Sequence, residues 1–158
     1  SFRAVRTATG RSTKAHENAG MIAINPGNAE GTLLGANACT MNMLQGTEYF
    51  PDLTDSVLFF EDDYESQPHH VNSHLQSLIL QPSFAGVKGL VIGRFEGKSG
   101  MTDELIRKTV GTYPELKNLP VIANVDFGHT LPAITFPIGG RVKMDVTGTT
   151  AKLGVLEH

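Results

Sequence analysis

Two separated groups of polar residues have the types and spacing of a proton-transfer site. Glu61, Asp62, Asp63 and Glu65 place four carboxylates within five residues, and His129 lies far downstream. A histidine beside a carboxylate is the base and orienting pair of many hydrolases, because the imidazole moves the proton and the carboxylate fixes its tautomer. Spacing alone also fits a solvated acidic turn and an ordinary loop histidine.

Each group follows an apolar run that predicts a buried strand. Residues 57–60 and 121–125 are largely apolar, as expected of strands that are covered on both faces. The end of a rigid strand holds a side chain in a fixed position. We therefore expect Glu61 and His129 at two strand ends, with a carboxylate oxygen ~2.6–3.2 Å from an imidazole nitrogen.

The remaining periodicity predicts a strand-rich α/β domain. Further strands are predicted at residues 21–24, 32–34, 88–93, 133–136, 140–146 and 152–155. Helices are predicted at residues 38–44, 66–81 and 103–110, with Asn37, Ser66 and Thr102 as the candidate N-caps.

Composition limits the function classes. The chain has 158 residues, 40% of them apolar and 18% charged, which suits one globular domain with a real core. The net charge of −3 gives no reason to expect nucleic-acid or membrane partners. No apolar run approaches the roughly 20 residues of a membrane-spanning helix. The single Cys39 permits no internal disulfide, which is compatible with the cytoplasmic location we expect.

Other reactive side chains suggest chemistry less strongly. His70 and His74 lie one helical turn apart, beside His69, but no cysteine or third ligand stands nearby, so a solvated helix face is favoured over zinc. Cys39 falls in the apolar stripe of a predicted helix, which favours a small buried residue over a nucleophile. No serine lies in a Gly-x-Ser-x-Gly elbow. We expect neither a metal nor a cofactor.

Seven segments resemble, in order and spacing, those of one known family. They are GTLLGAN (31–37), GT (46–47), VLFFEDDYE (57–65), residues 75–78, GLVIGRF (89–95), DFGHT (126–130) and FPIGG (136–140). Together they resemble the carboxyl-terminal domain of the LD-carboxypeptidases, the serine peptidases of family S66. The branch that contains the microcin C immunity protein is the most similar. The resemblance implies a swivelling β/β/α three-layer sandwich.

The resemblance also implies a Ser-His-Glu triad that two domains share. Glu61 matches the Glu of the family's Glu-Asp motif and would orient the base, and His129 matches the His of its Gly-His motif and would be the general base. The nucleophilic serine and the oxyanion hole are expected in a missing amino-terminal domain, so the chain alone should be inactive. Ala36 stands where the family usually has a second glycine.

Composition, the last three residues and the resemblance together predict how the chain is divided and which partners it has. Residues 1–19 are expected to be a linker or disordered lead-in, residues 20–155 the carboxyl-terminal domain, and residues 156–158 a tag remnant. The expected partners are the nucleophile domain, a peptide or aminoacyl-nucleotide substrate, and a second copy of the chain. The face that meets a partner should surround Glu61 and His129. Its apolar candidates are Tyr64, Phe127, Leu131 and Pro132.

Two alternatives to the peptidase hypothesis stay open. The first is a non-catalytic ligand-binding or interaction module that keeps the fold. The second is a small metal-dependent hydrolase that uses Asp62, Asp63 and the histidines.

Overall fold

A computed structural model describes residues 20–157 of the chain, so the expected lead-in at residues 1–19 lies outside the described part. The strands are β1 (Ile22–Asn25), β2 (Gly27–Asn37), β3 (Ser56–Glu61), β4 (Gly89–Gly93), β5 (Val121–Val125), β6 (Arg141–Thr147) and β7 (Thr150–Glu157). The α-helices are α1 (Ala38–Asn42), α2 (Pro68–Ile79) and α3 (Asp103–Thr112). Short 3₁₀ turns span Pro82–Gly86, Gly97–Ser99 and Pro114–Leu116.

The described strands form one mixed sheet in the order β1-β5-β4-β3-β2-β6-β7. Strands β2, β3, β4 and β5 run parallel, and β1, β6 and β7 are antiparallel to their neighbours. Every residue of β3 and β4 is buried, as the uninterrupted apolar runs predicted. The carboxyl ends of the parallel strands therefore meet at one edge of the sheet, which is where ligand sites of such sheets form.

Alternation along β3 separates two cores. Leu58 and Phe60 face the helices, where α2 buries the predicted stripe of Val71, Leu75, Leu78 and Ile79. Val57 and Phe59 face the opposite way and share a second core with β6 and β7, which curl back over the sheet. Strands β1 and β7, at the two ends of the strand order, consequently touch each other. The layers are strand, strand and helix, so the predicted strand-rich β/β/α sandwich is confirmed.

Two of the three predicted helix N-caps are confirmed, and the third is wrong. The Asn37 side chain accepts a hydrogen bond from the Thr40 backbone N–H, and Thr102 does the same for Leu105, as predicted. Ser66 is not the cap of α2, because Gln67 occupies that position without a side-chain bond and Pro68 begins the helix. Proline at the first helical position needs no donor, so α2 begins without the predicted cap.

Three other predictions about elements need correction. Residues 133–136 form no strand; they cross one face of the sheet between two prolines, and Ile134 and Phe136 pack on the second core. Cys39 is exposed rather than buried, because α1 turns Ala38 and Met41 inward instead. Strand β7 spans Thr150–Glu157, so it is longer at both ends than the predicted strand at residues 152–155.

Helix α2 is the longest α-helix that the structure describes. Within residues 20–157, no helix combines the length and the apolar character that crossing a membrane requires.

Candidate active site

Glu61 and His129 are in direct contact, as predicted. Glu61 is the last residue of β3, and its side chain is only 9% exposed. His129 follows β5 by a short turn, and its ring is 47% exposed. The His129 Nδ1 atom lies 2.8 Å from Glu61 Oε2, within ordinary hydrogen-bond distance. A buried carboxylate thus holds one nitrogen of a half-exposed ring.

Two glycines make room for this contact. Strand β4 lies between β3 and β5, and Gly93 is its last residue. A Cβ on Gly93 would lie 2.9 Å from Glu61 Cβ and 2.8 Å from the Phe127 carbonyl oxygen. A Cβ on Gly128 would lie 2.7 Å from Glu61 Oε2, and the φ of 100° at Gly128 also favours glycine. Side chains at these two positions would push the carboxylate away from the imidazole.

The contact shifts the titration of the histidine. The hydrogen bond to Glu61 raises the pKa of His129 above its ordinary value of 6.5. Partial burial opposes this effect, while the negative charges of Glu61, Asp63 and Glu96 add to it. Because Glu61 accepts from the Nδ1–H, the neutral ring carries its lone pair on Nε2. The ring can therefore accept a proton on Nε2, which is what a general base requires.

A cavity of about 240 Å³ adjoins the Glu61 carboxylate. Apolar side chains form much of its wall, and the rings of Phe59, Phe127 and Phe136 pack against one another with centroids 4.9–5.4 Å apart. Asn37 supplies a polar side chain. Ala36 also lines the cavity and is exposed, so its methyl group fits where the family usually has glycine. The space suits part of a small ligand beside the Glu61–His129 pair.

A second carboxylate–imidazole pair lies next to the first one. His74 Nδ1 is 2.6 Å from Asp62 Oδ2, and the Asp62 side chain is fully buried. The predicted solvated helix face is therefore wrong for His74. Successive residues at the end of a strand point to opposite faces. Glu61 consequently meets His129 on one side of the sheet, while Asp62 meets α2 on the other. The alternation of side chains along a strand could have predicted this separation from the sequence.

The ion pair between Arg94 and Asp126 was not predicted from the sequence. Arg94 directly follows β4, Asp126 directly follows β5, and the guanidinium Nη2 donates to Asp126 Oδ1. The carboxylate is almost fully buried. Since β4 and β5 are parallel neighbours, the residues after them must meet, and opposite charges at these two positions predict the pair. The pair anchors the turn that carries His129.

The rings of the three histidines of α2 lie close together, and only those of His70 and His74 are stacked. The His69 and His70 rings have centroids 4.0 Å apart, and those of His70 and His74 are 6.5 Å apart. Among residues 20–157, no group of three or more His, Cys, Asp or Glu side chains is arranged to hold a metal ion.

The predicted apolar face around the pair is only partly present. Leu131 is 90% exposed and Tyr64 is 47% exposed, and Pro132 is exposed as well. Phe127 is buried, contrary to the prediction, because its ring packs against Phe59 and Phe136 in the second core.

Comparison with known proteins identifies the relatives of this domain. Residues 30–144 match the LD-carboxypeptidase C-terminal domain, family S66. The YocD protein of Bacillus subtilis (strain 168), named as a carboxypeptidase, is 44% identical over 143 residues, which cover 90% of this chain and 44% of YocD.

Solved structures share the fold. A MccF-like protein from Bacillus anthracis str. Ames superposes with a TM-score of 0.86 at 38% identity, covering 95% of this chain and 46% of that one. A muramoyltetrapeptide carboxypeptidase from Oxalobacter formigenes gives a TM-score of 0.71 at 25% identity, covering 87% and 49%. This chain spans less than half the length of each of these proteins. The chain belongs to the LD-carboxypeptidase family, of which residues 30–144 match the carboxyl-terminal domain.

Proposed function

We propose that this domain supplies Glu61 and His129 to the Ser-His-Glu triad of a serine-type amide hydrolase. The observation that carries the proposal is the 2.8 Å contact between Glu61 Oε2 and His129 Nδ1, in a histidine side chain that is 47% exposed. The nucleophilic serine belongs to an amino-terminal domain outside this chain. Two facts support that division. The chain spans less than half of its relatives, and no serine among residues 20–157 hydrogen-bonds to His129.

The proposed chemistry moves one proton between three groups. His129 Nε2 takes the proton of the serine hydroxyl while the serine oxygen attacks the amide carbonyl carbon. The Glu61 carboxylate stabilises the resulting imidazolium by accepting from Nδ1–H. Collapse of the tetrahedral intermediate breaks the carbon–nitrogen bond, and His129 returns the proton to the leaving amine. A water molecule, deprotonated by the same nitrogen, then attacks the acyl carbon. The bond from that carbon to the serine oxygen breaks, His129 returns the proton to the serine oxygen, and the carboxylic acid product leaves.

The proposed substrates are amides that carry a carboxylate, either murein peptides with an L,D bond or aminoacyl-nucleotide conjugates. Relatives support both classes. One is a muramoyltetrapeptide carboxypeptidase, and MccF has been solved with aspartyl sulfamoyl adenosine and with glutamyl sulfamoyl guanosine. The cavity beside Glu61 is small enough to receive only part of such a molecule.

The proposal includes a domain organisation. Residues 20–155 form the carboxyl-terminal domain, and residues 1–19 serve as the linker to the serine domain in a cytoplasmic enzyme. The exposed side chains of Leu131 and Tyr64 belong to the face that the serine domain covers. Interdomain faces of this kind bury roughly 600–1,500 Å². The chain without its partner domain should therefore self-associate through the same face.

Kinetics of a protein that contains both domains test the triad. Glu61→Gln and His129→Ala should each lower kcat/KM for an L,D-peptide or aspartyl sulfamoyl adenosine by orders of magnitude, since triad members act as a unit. The double variant should be little worse than either single one. The exposed Glu48→Gln is the matched control and should leave the rate unchanged.

Two results would contradict the proposal. Robust hydrolysis by residues 1–158 alone would place the nucleophile in this chain. Tight substrate binding without any turnover by the two-domain protein would instead favour the non-catalytic binding module.

A further inference from the structure

The Asp62–His74 pair is a buried polar group that the triad does not use. Its carboxylate is completely enclosed, which costs stability unless every oxygen is hydrogen-bonded. Asp62 Oδ2 accepts from His74 Nδ1 at 2.6 Å, and Oδ1 accepts from the Asp63 backbone N–H at 3.1 Å. Asp62 Oδ1 also accepts from Asn37 Nδ2 at 3.2 Å. The pair therefore reaches a third residue, which lines the cavity beside Glu61.

Asn37 is held at both ends of its amide. Its Oδ1 atom caps α1 by accepting from the Thr40 N–H at 3.0 Å, so the oxygen and nitrogen positions are assigned by the hydrogen bonds. One of its two Nδ2 hydrogens is donated to Asp62. Within residues 20–157, the other Nδ2 hydrogen has no protein acceptor. Asn37 also pairs with Glu61 in the β2–β3 register, and both residues line the same cavity, so Asn37 lies next to the proposed triad.

His74 also ties the two helices together. Its backbone carbonyl accepts from the Asn42 side chain at 3.2 Å, and Gln45 links Asn42 to Ser77 of α2 through bonds of 2.7 Å. The histidine ring thus fixes Asp62 from a helix that is itself anchored to α1, the helix that Asn37 caps. Such a closed network leaves the Asn37 amide one orientation.

We propose that Asp62 and His74 are positioning residues that fix the Asn37 amide, so that its second N–H donates to a carbonyl or carboxylate oxygen of the substrate. The inference rests on the proposed function for the nature of that substrate. Neither residue of the pair moves a proton to the substrate, because both lie on the helical side of the sheet. Their effect should therefore appear in substrate binding and should leave the titration of His129 unchanged.

The first experiment reads the orientation of Asn37 directly in the 158-residue chain. The two side-chain N–H signals of Asn37 should be well separated in NMR spectra of the wild type, because only one is bonded to a carboxylate. Asp62→Asn and His74→Leu should move these signals, whereas His74→Asn, which can donate from the Nδ1 position, should restore them. His70→Leu is the matched control, since His70 stacks on the same ring from the preceding turn of α2.

The second experiment measures affinity in the two-domain protein. Calorimetry of a His129→Ala background, which cannot turn over the ligand, gives the Kd for aspartyl sulfamoyl adenosine. Adding Asp62→Asn or His74→Leu should weaken the Kd about 10- to 100-fold, the effect of losing one hydrogen bond to a charged group. Adding His70→Leu or His74→Asn should leave the Kd unchanged. Thermal unfolding of each variant shows that the protein is folded at the temperature of the assay.

The outcomes separate the two proposals. Unchanged Asn37 signals or an unchanged Kd in folded Asp62→Asn overturns the positioning role. An equal loss in His70→Leu overturns it too, because the effect would then be a general one of helix α2. Failure of the wild-type two-domain protein to hydrolyse a ligand that it binds refutes the catalytic proposal alone. The Asn37 signals and the Kd still decide the positioning role in that case.

Discussion

Gly128→Ala should separate the Glu61–His129 pair without touching the chemistry of either residue. The added Cβ would lie 2.7 Å from Glu61 Oε2, whereas ordinary contacts of a Cβ begin near 3.4 Å. The carboxylate must therefore recede by roughly 0.7 Å, or the turn must move by as much. A bond that is now 2.8 Å long would then approach the limit of about 3.5 Å beyond which it no longer counts as one.

Two effects of the substitution have to be kept apart. Alanine at a φ of 100° costs about 1–2 kcal/mol of folding stability whatever it touches. Gly46→Ala is the control for this cost, because Gly46 has a φ of 79° and a Cβ there would meet nothing within 4 Å. Gly93→Ala is the complementary variant. Its Cβ would press on Glu61 from β4 at 2.9 Å, and Gly93 does not adjoin His129 in the chain.

NMR titration of the histidine rings measures the result. Since the hydrogen bond to Glu61 is the largest cause of the raised pKa, the pKa of His129 should fall in Gly128→Ala and Gly93→Ala and stay raised in Gly46→Ala. In the two-domain protein, a misplacement near 1 Å should lower kcat/KM about 10²-fold in the first two variants. A folded Gly128→Ala protein that keeps the wild-type pKa of His129 would refute the reasoning.

Four further predictions follow from three features, namely the raised pKa of His129, the cap of α3 and the exposed Leu131. Because the folded-state pKa of His129 lies above the unfolded value near 6.5, the Glu61 contact stabilises the fold fully below that pH. This stabilisation is lost as the pH rises through the folded-state pKa, so urea unfolding of wild type and Glu61→Gln should converge at high pH. The rising limb of kcat/KM should lie at higher pH in wild type than in a residually active Gly93→Ala enzyme. Thr102→Ala should lower the stability by about 1 kcal/mol through loss of the α3 cap, and urea unfolding with an unchanged midpoint would contradict this. Leu131→Glu should weaken self-association and docking of the serine domain, as seen by sedimentation velocity, whereas equal sedimentation of variant and wild type would exclude this face.

The parallel strands and the carboxylate at the end of β3 were predictable from the sequence. An apolar run such as residues 57–60 must be buried in a stable fold, because exposing these side chains to water is unfavourable. The acids that follow must then lie at an edge of the sheet. The caps Asn37 and Thr102 were predictable for a similar reason, since they satisfy backbone donors within their own helix.

The contact of Glu61 with His129 was predicted from two strand ends and from the family resemblance, and the structure adds the geometry. It was the strand order that placed β3 and β5 on either side of β4, with Gly93 small enough for Glu61 to lie beside the Phe127 turn. Local patterns carry no information on which strands become neighbours.

The path of residues 133–136 and the environment of His74 were decided only by the tertiary structure. The first segment is apolar enough for a strand, but both sides of β2 are already paired, with β3 and β6, so it packs on the face instead. On a helical wheel His74 lies at the edge of the apolar stripe of α2, between Val71 and Leu78. It becomes the partner of a buried carboxylate because α2 packs on the face to which Asp62 points. Sequence periodicity specifies which side of an element is apolar, whereas the partner of a polar group depends on the element packed against it.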